Sequence, residues 1–482
     1  MQVLAKALAK RGHEITFISG FPFDKPIENY RDIKIKLSDE DSREMEEMTK
    51  SMGGNPGSKS FFQLLGFFSR MFYKIGNDTL QSADVKKLMA EEQFDLVIAG
   101  YFMTEYLLGL ATHFNCPSIV FFSGNLVSSL HKMVGNPLSP AGAPHGMLKS
   151  KEINTFKLRL QNFLLHGLDL LIFRPYFNYR ARQIYNDNFP PNRYRSYDET
   201  LTNVSAVLIN THFTSAAPRP NLPNLIEVGG LQIKPKNSPL PDNLKNFLNN
   251  AKNGAILFSF GSNAKSMYLP EEKIKALLKV FSKLKQRVVM KWESDTLPGK
   301  PDNVIISKWL PQDDVLAHSS MRLFISHCGY GGIVEAKYYG VPIIGVPLGG
   351  DQASNAKKIV EEGWAIQINF EDLNEETLTE AINEILNNKK YSDYVKRESE
   401  LSRDRPMHAQ DTAIYWVEYI LRHHGAPHLH YPGADLNFFQ DNSIDVFLFI
   451  IAVLYATWKL LKFICKFCFC RQKKNIEKLK KN

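Results

Sequence analysis

The sequence predicts an α/β protein of two doubly wound domains followed by one membrane-crossing helix, and three stretches carry that expectation. Short apolar runs alternate with helical segments on both sides of the proline-punctuated, polar stretch 235–241, the pattern of parallel sheets covered by helices. Residues 323–340 read as strand, glycine turn and helix. Leu323 to Ser326 is a short apolar run, and helical spacing from Gly332 to Tyr339 stops at Gly340, a C-cap. Near the end of the chain, Val446 to Trp458 is continuously apolar.

Composition agrees. At about 150 residues per domain, 482 residues allow two or three domains, and a 44% hydrophobic content is that of a chain with a substantial core. The formal net charge of +9 owes much to the C-terminal tail. No basic stripe interleaved with aromatics appears elsewhere, which argues against nucleic acid. Five cysteines are too few for a disulfide framework. Cys465, Cys468 and Cys470 flank the apolar segment, and no pairing of Cys116 with Cys328 is implied.

The first domain is expected over 1–233. Met1 to Arg11 has helical spacing and stops at Gly12, and Ile15 to Ser19 reads as a strand. No strand precedes the helix, although the first strand of a doubly wound sheet is central in its order. The helix would then lack the neighbour that its apolar face covers. No signal peptide is evident, because Lys6, Lys10 and Arg11 interrupt the first residues. The stretch 50–60 is a glycine- and serine-rich loop, and an apolar helix runs from Phe61 to about Ile75. Leu96 to Ala99 and Ser118 to Phe122 are buried strands around a helix from Glu105 to Phe114. Ala206 to Asn210 is the domain's last strand, and Ile226 to Val228 leads into Gly229 and Gly230.

A linker at 234–244 leads to a second domain over 245–425. Its strands are expected at Ala255 to Phe260, Val288 to Lys291, Val304 to Ser307, Leu323 to Ser326, Ile343 to Val346 and Ala365 to Ile368. Gly261 and Ser262 form a turn directly after the first of these strands, outside the carboxyl ends of the strands and on the same side as the turn after Ser326.

The turn after Ser326 carries the chemistry. Strand, glycine turn and helix aim backbone N–H groups and a positive helix end at a phosphate, and His327 offers a side-chain donor beside them. Glu335, in the helix's first turn, is placed to accept from ribose hydroxyls. Asp351 and Gln352, after the next strand, are placed for the hydroxyls of a sugar. A lone His327 would be an ordinary turn residue, and single glycines would be tight turns.

Trp309, Gln312, the Ser326-His327-Cys328-Gly329 turn, Glu335 and the Asp351-Gln352 pair together resemble the donor signature of UDP-glycosyltransferases, at the right spacing across more than forty residues. The resemblance implies a GT-B architecture: two Rossmann-like domains facing a cleft, the acceptor on the first and the UDP-sugar on the second. It implies Trp309 stacked on uracil and Gln312 at the uracil edge. It also implies His327 and Gly329 at the diphosphate, Glu335 on ribose, and Asp351 with Gln352 on the transferred sugar. Gly331 departs from the usual Asn or Ser, which removes one side-chain contact to phosphate.

The same resemblance implies inverting transfer of a hexose to a hydroxyl of a small lipophilic acceptor, with a histidine as general base. The helix end and His327 would stabilise the leaving diphosphate. UDP-glucose and UDP-glucuronate both remain open as donors, with Gly350 before Asp351 looking more like glucose-using invertebrate members. No Asp-x-Asp cluster lies near the motif, so metal independence is expected and no cofactor is needed. Family members begin upstream with a signal peptide, the first strand and the base histidine, so the chain looks as if its beginning is missing. His13 stands where the family carries a structural residue. The family aspartate that polarises the base is replaced here by Ala99-Gly100-Tyr101. Glu105 is the nearest carboxylate and the candidate catalytic residue, although a solvated residue favoured by the helix dipole is its weightier reading. Phe163 to Tyr179, rich in Leu, Phe and Tyr, reads as a buried hairpin, an acceptor-pocket wall or a membrane-surface patch; the first two jointly weigh more, because family acceptors are lipophilic.

Two other classes compete. A UDP-sugar-binding membrane protein without activity, a homo- or hetero-oligomeric partner of active relatives, accounts for the absent histidine. A nicotinamide oxidoreductase needs Gly-x-Gly-x-x-Gly after a strand, and the turn at Gly329 lacks it.

At the C-terminus, a juxtamembrane segment (426–445) precedes a transmembrane helix (446–466), in which Lys459 and Lys462 snorkel to complete the span across the lipid bilayer. The basic tail (467–482) belongs on the cytosolic side, and Lys478 to Asn482 resembles a dilysine retrieval signal of the endoplasmic reticulum. The catalytic domains are then lumenal, where the sequons at Asn77 and Asn203 permit glycosylation.

Overall fold

The computed structural model of the chain describes residues 1–23, 25–54, 61–124, 127–137, 140–145, 148, 153–215, 219–262 and 264–479. It divides into two compact units, Met1–Leu429 and His430–Asn482. The larger unit contains twelve strands among the described residues: β1 (Ile15–Ser19), β2 (Tyr30–Lys34), β3 (Val97–Gly100), β4 (Ser118–Phe122), β5 (Ala206–Ile209), β6 (Leu225–Glu227), β7 (Ala255–Ser259), β8 (Arg287–Lys291), β9 (Val304–Ser307), β10 (Met321–Ser326), β11 (Ile343–Gly345) and β12 (Ala365–Gln367). All the strand pairs are parallel.

The second domain's sheet runs β12-β11-β10-β7-β8-β9. Its chain order steps outward from β7 to β9, then returns to β10 on β7's other side. The switch point therefore lies between β7 and β10, where the carboxyl ends of doubly wound strands leave a ligand crevice. Ser259 pairs with Ser326 there, so the turns after the two strands emerge side by side. Both faces of the sheet are covered: Leu277, Phe281, Leu378 and Ile382 on one, Leu248, Ile333, Ala356 and Trp364 on the other. Two-sided burial explains why these strands read as unbroken apolar runs.

In the first domain the strands form two separate sheets, β1-β2 and β3-β4-β5-β6. The helix Gln2–Lys10 is nevertheless well covered, contrary to expectation. Leu4 and Leu8 are 2% and 3% exposed, packed with Ile119, Phe121 and Leu208 and with Val417 and Ile420 of the helix Ala409–Arg422. That later helix falls within the sequence range 245–425 yet covers the first domain's sheet. Arg11 and His13 both reach its Glu418, at 2.6 and 3.3 Å, which gives His13 a structural role.

Several boundaries differ from the sequence reading. The helix from Phe61 continues to Gln81, and Glu105–Leu108 is a 3-10 turn that precedes a helix at Gly109–Phe114. Residues 51–54 close the helix Asp39–Gly54, and the rest of the expected loop, 55–60, lies outside the described residues. Phe163–Tyr179 is no hairpin. It belongs to a helical run of Phe156–Leu168, a π turn at Asp169–Phe173 and Arg174–Asn188.

The smaller unit carries a helix at Ile444–Leu479 whose stretch Ile444–Lys466 has a mean hydropathy of 2.0, long and apolar enough to cross a membrane. Its 23 residues span about 34 Å at the α-helical rise, against a hydrocarbon core of about 30 Å. The last residues of the dilysine-like end, 480–482, lie outside the described residues.

Candidate functional site

At the end of β10 the chain turns through Cys328, whose φ is +62° and whose thiol is buried against Gly345. The Cys328 N–H donates to Ser326 Oγ at 3.1 Å. This kink delivers Gly329 as the N-cap of the helix Tyr330–Tyr339, with no side-chain cap hydrogen bond. The first-turn N–H groups are thus left open for an anion. The helix starts two residues earlier than its spacing suggests and ends at Gly340 (φ +69°). Glu335 consequently stands in the second turn, not the first.

His327 is wedged between two glycines. A Cβ on Gly261 would lie 2.6 Å from its Cε1, and one on Gly329 would overlap Nε2. Its buried Nδ1 makes no hydrogen bond of good geometry, and the Ser259 backbone acts on the ring to favour its charged form. Burial, with the positive charge of Lys291, lowers its pKa to about 4, so at neutral pH the ring is an uncharged donor. Ser262, beside Gly261, is exposed.

Gln312 opens the short helix Gln312–Leu316, and its Nε2 donates to Glu335 Oε2 at 2.7 Å. The residues expected at uracil and ribose are therefore already joined. Burial pushes the Glu335 carboxyl up to about 7, against the opposing effect of the Gln312 hydrogen bond. Trp309 presents a 71% exposed indole, a free stacking platform. Lys234, between β6 and the helix Asp242–Asn249, pairs with Asp314 and, at 3.5 Å, with Asp313, which ties that segment to the same short helix.

After β11, Asp351 is exposed and Gln352 is 8% exposed. The Gln352 Oε1 accepts from the N–H groups of Leu348 (2.8 Å) and Gly349 (3.2 Å), so half of its amide shapes the loop. Asn355 was not singled out from sequence. Its Nδ2 donates to Asp351 Oδ2 at 2.6 Å and to the Cys328 carbonyl at 3.2 Å, linking the Asp351 carboxylate to the turn after β10. Its place four residues after Asp351, one helical turn on, was the available signal. Lys291 was also missed; it pairs with Glu293 at 2.5 Å and its charge acts on His327.

Glu105 does not join this group. Its carboxyl is partly buried in the first domain, hydrogen-bonded to Tyr101, and burial raises its pKa. The solvated reading is thereby corrected. Tyr101 in turn bonds Ser129. Glu105 lines a cavity of about 500 Å³ with Ser129, Lys132, Arg174 and Tyr179, which none of the donor-motif residues line. Among the described residues, no three His, Cys, Asp or Glu side chains group as metal ligands.

Comparison with known proteins gives one picture. The family model described as "UDP-glucoronosyl and UDP-glucosyl transferase" matches residues 1–482. UDP-glucosyltransferase 2 of Dactylopius coccus is 34% identical over 494 residues, covering 100% of this chain and 93% of its own length. UDP-glucuronosyltransferase 1A8 of Homo sapiens is 32% identical over 403 residues, 83% and 74% of the two chains. Among solved structures, a UDP-glucosyltransferase from Polygonum tinctorium superposes with a TM-score of 0.55 at 17% identity, over 87% of this chain and 96% of that one. A UDP-glucose: anthocyanidin 3-O-glucosyltransferase in complex with UDP gives 0.54 at 16%, over 87% and 94%. These neighbours place the fold in the GT-B class.

Proposed function

The chain belongs to the UDP-glucuronosyl and UDP-glucosyl transferase family and is an enzyme of that family, and on that premise we propose that it transfers glucose or glucuronate, with inversion, from a UDP-sugar to a hydroxyl of a small lipophilic acceptor. One observation carries the reading: the neutral His327, wedged by Gly261 and Gly329 at the β7/β10 switch point, stands at the open N-terminus of the helix Tyr330–Tyr339. An acceptor hydroxyl attacks the anomeric carbon in line, its proton passes to a base, and UDP leaves. The helix end and the His327 N–H would meet the charge that grows on the departing diphosphate. Trp309 would stack on uracil, Gln312 would read its edge, and Glu335 would accept from ribose. Asp351, steadied by Asn355, and the free N–H groups of Gln352 would hold the sugar. Ser262 would contribute at the phosphate side. No step in this scheme calls for a metal.

We assign acceptor binding to 1–233, the linker to 234–244 and donor binding to 245–425. The segments 426–445, 446–466 and 467–482 serve as juxtamembrane stretch, membrane span and basic tail. The span and the basic end support an endoplasmic reticulum membrane enzyme with lumenal catalytic domains. A second reading, a UDP-sugar-binding membrane protein of reduced activity, is favoured by one observation: Glu105 faces Tyr101 in a separate cavity rather than the donor residues. Incubating the full chain with UDP-glucose or UDP-glucuronate and simple phenols separates the two. Release of UDP with a β-linked product supports transfer. Tight donor binding without product supports the second reading, and failure to bind either donor contradicts both.

A further inference from the structure

Another cavity of the larger unit, of about 160 Å³, is lined by none of the donor-motif residues. It lies where the segment after β5, the turn Gly229–Gly230 after β6, the helix Tyr330–Tyr339 and the chain at 402–409 meet. Tyr330 and Lys337 line it from the helix, and Arg403 and Arg405 from the later segment. Its wall is unbalanced in hydrogen bonding. His212, 7% exposed, accepts from the Thr214 N–H through Nδ1 at 3.3 Å. A backbone N–H can only donate, so the neutral ring carries its proton on Nε2, and that buried atom has no hydrogen-bond partner. Burial and the positive charges of Arg405 and Lys337 lower the His212 pKa to about 4, which keeps the ring neutral near pH 7.

The wall is unbalanced in charge as well. Lys337, 5% exposed, is neutralised by Glu398 at 2.7 Å. Glu227, the carboxylate that acts on Arg405, pairs with Arg219 at 3.7 Å. Among the described residues no ion pair joins Arg403 or Arg405 to a carboxylate. Arg405 Nη1 donates to the Gly229 carbonyl at 2.9 Å, and Arg403 lies over the Tyr338 ring. A buried donor without an acceptor is costly, and guanidinium groups with donors to spare match the oxygens of an oxyanion. The volume is below the roughly 300–1,000 Å³ of a site for a drug-sized ligand, which leaves a small anion rather than a nucleotide. Three donor groups outnumber the oxygens of a carboxylate and suit those of a phosphate. We propose that this cavity binds a phosphate group, as the free ion or at the end of a small phosphate monoester, held by the His212 Nε2–H and the guanidinium groups of Arg403 and Arg405. The bound anion would join the ends of β5 and β6 to the helix Tyr330–Tyr339.

Calorimetric titration of the full chain in dodecyl maltoside micelles, which carry no phosphate, tests this. Inorganic phosphate and phenyl phosphate are the probes, each without and with saturating UDP. The expected result is saturable binding of at least one probe that persists with UDP. His212→Phe and Arg403→Ala should each weaken it about tenfold or more, and should abolish the rise in Tm that the probe produces, with UDP binding unchanged. Binding of phenyl phosphate alone assigns the site to an ester, binding of inorganic phosphate alone to the free ion, and binding of both to the phosphate group they share. Absence of saturable binding of either probe overturns the proposal. Binding that UDP displaces, or that the variants leave unchanged, also overturns it, because the anion then occupies another site, the end of the helix Tyr330–Tyr339 included. Should His212→Phe lack a cooperative unfolding transition, Arg403→Ala, at an exposed position, decides. Failure of UDP itself to bind contradicts the proposed function and leaves the phosphate titration to stand on its own.

Discussion

Lowering the pH from 8 to 6 should weaken UDP-glucose binding about tenfold, and Glu335 should account for the loss. Its carboxyl is enclosed against Gln312 with a pKa raised to about 7, because burial favours the neutral acid. Ionisation sets the sign: raising pH through 7 creates the carboxylate proposed to accept from ribose, and lowering it removes that acceptor. The ionised fraction falls from roughly nine-tenths at pH 8 to about one-tenth at pH 6, a tenfold change or about 1.4 kcal/mol. His327, with a pKa near 4, stays neutral across this window and adds no slope. The UDP-glucose diphosphate has no proton titrating there, so the profile reports the protein. Calorimetric titration at pH 6, 7 and 8 reads the effect, and Glu335→Gln should flatten it. A flat wild-type profile, or an unchanged slope in the Gln variant, would refute the assignment.

The same geometry yields further outcomes. Gly329→Ala places a methyl against the His327 ring, and at an overpacking cost of about 1–3 kcal/mol it should weaken UDP about 5- to 150-fold in a calorimetric titration. Leu8→Ala should cost about 2–5 kcal/mol in denaturant unfolding, because Leu8 is 3% exposed where the helix Ala409–Arg422 closes over the first domain. Protease added to sealed microsomes should remove only residues beyond the span, as read by antibodies to each end. Digestion of 309–352 under those conditions would contradict the lumenal assignment.

The strands of the second domain were legible to within one or two residues because both sheet faces are buried and each strand is an apolar run. β2 was not, since Arg31, Asp32 and Lys34 interrupt it and only its pairing with β1 makes it a strand. The start of the helix at Tyr330 was hidden by Gly331 and Gly332, poor helix formers that the Cys328 kink nevertheless commits to the first turn. Composition alone could not say whether the apolar stretch 163–179 faces the core or the outside; the fully buried Asn162, which donates to the carbonyls of Pro140 and Ala143, anchors the opposite face and decides that. The candidate donor residues were named from their resemblance to a family signature. Their coupling was not: the Gln312–Glu335 bond and the Asn355 bridge join positions 23 and 27 residues apart.

One site in the second domain is proposed to read base and sugar through different residues. Calorimetric titration of the full chain with UDP and with UDP-glucose, comparing Trp309→Ala and Asp351→Ala, tests it most directly. Loss of the exposed indole should weaken both ligands by about 1–3 kcal/mol, the worth of stacking one base. Loss of the Asp351 carboxylate should weaken UDP-glucose and leave UDP nearly unchanged. Equal losses for the two ligands on changing Asp351 would contradict the claim.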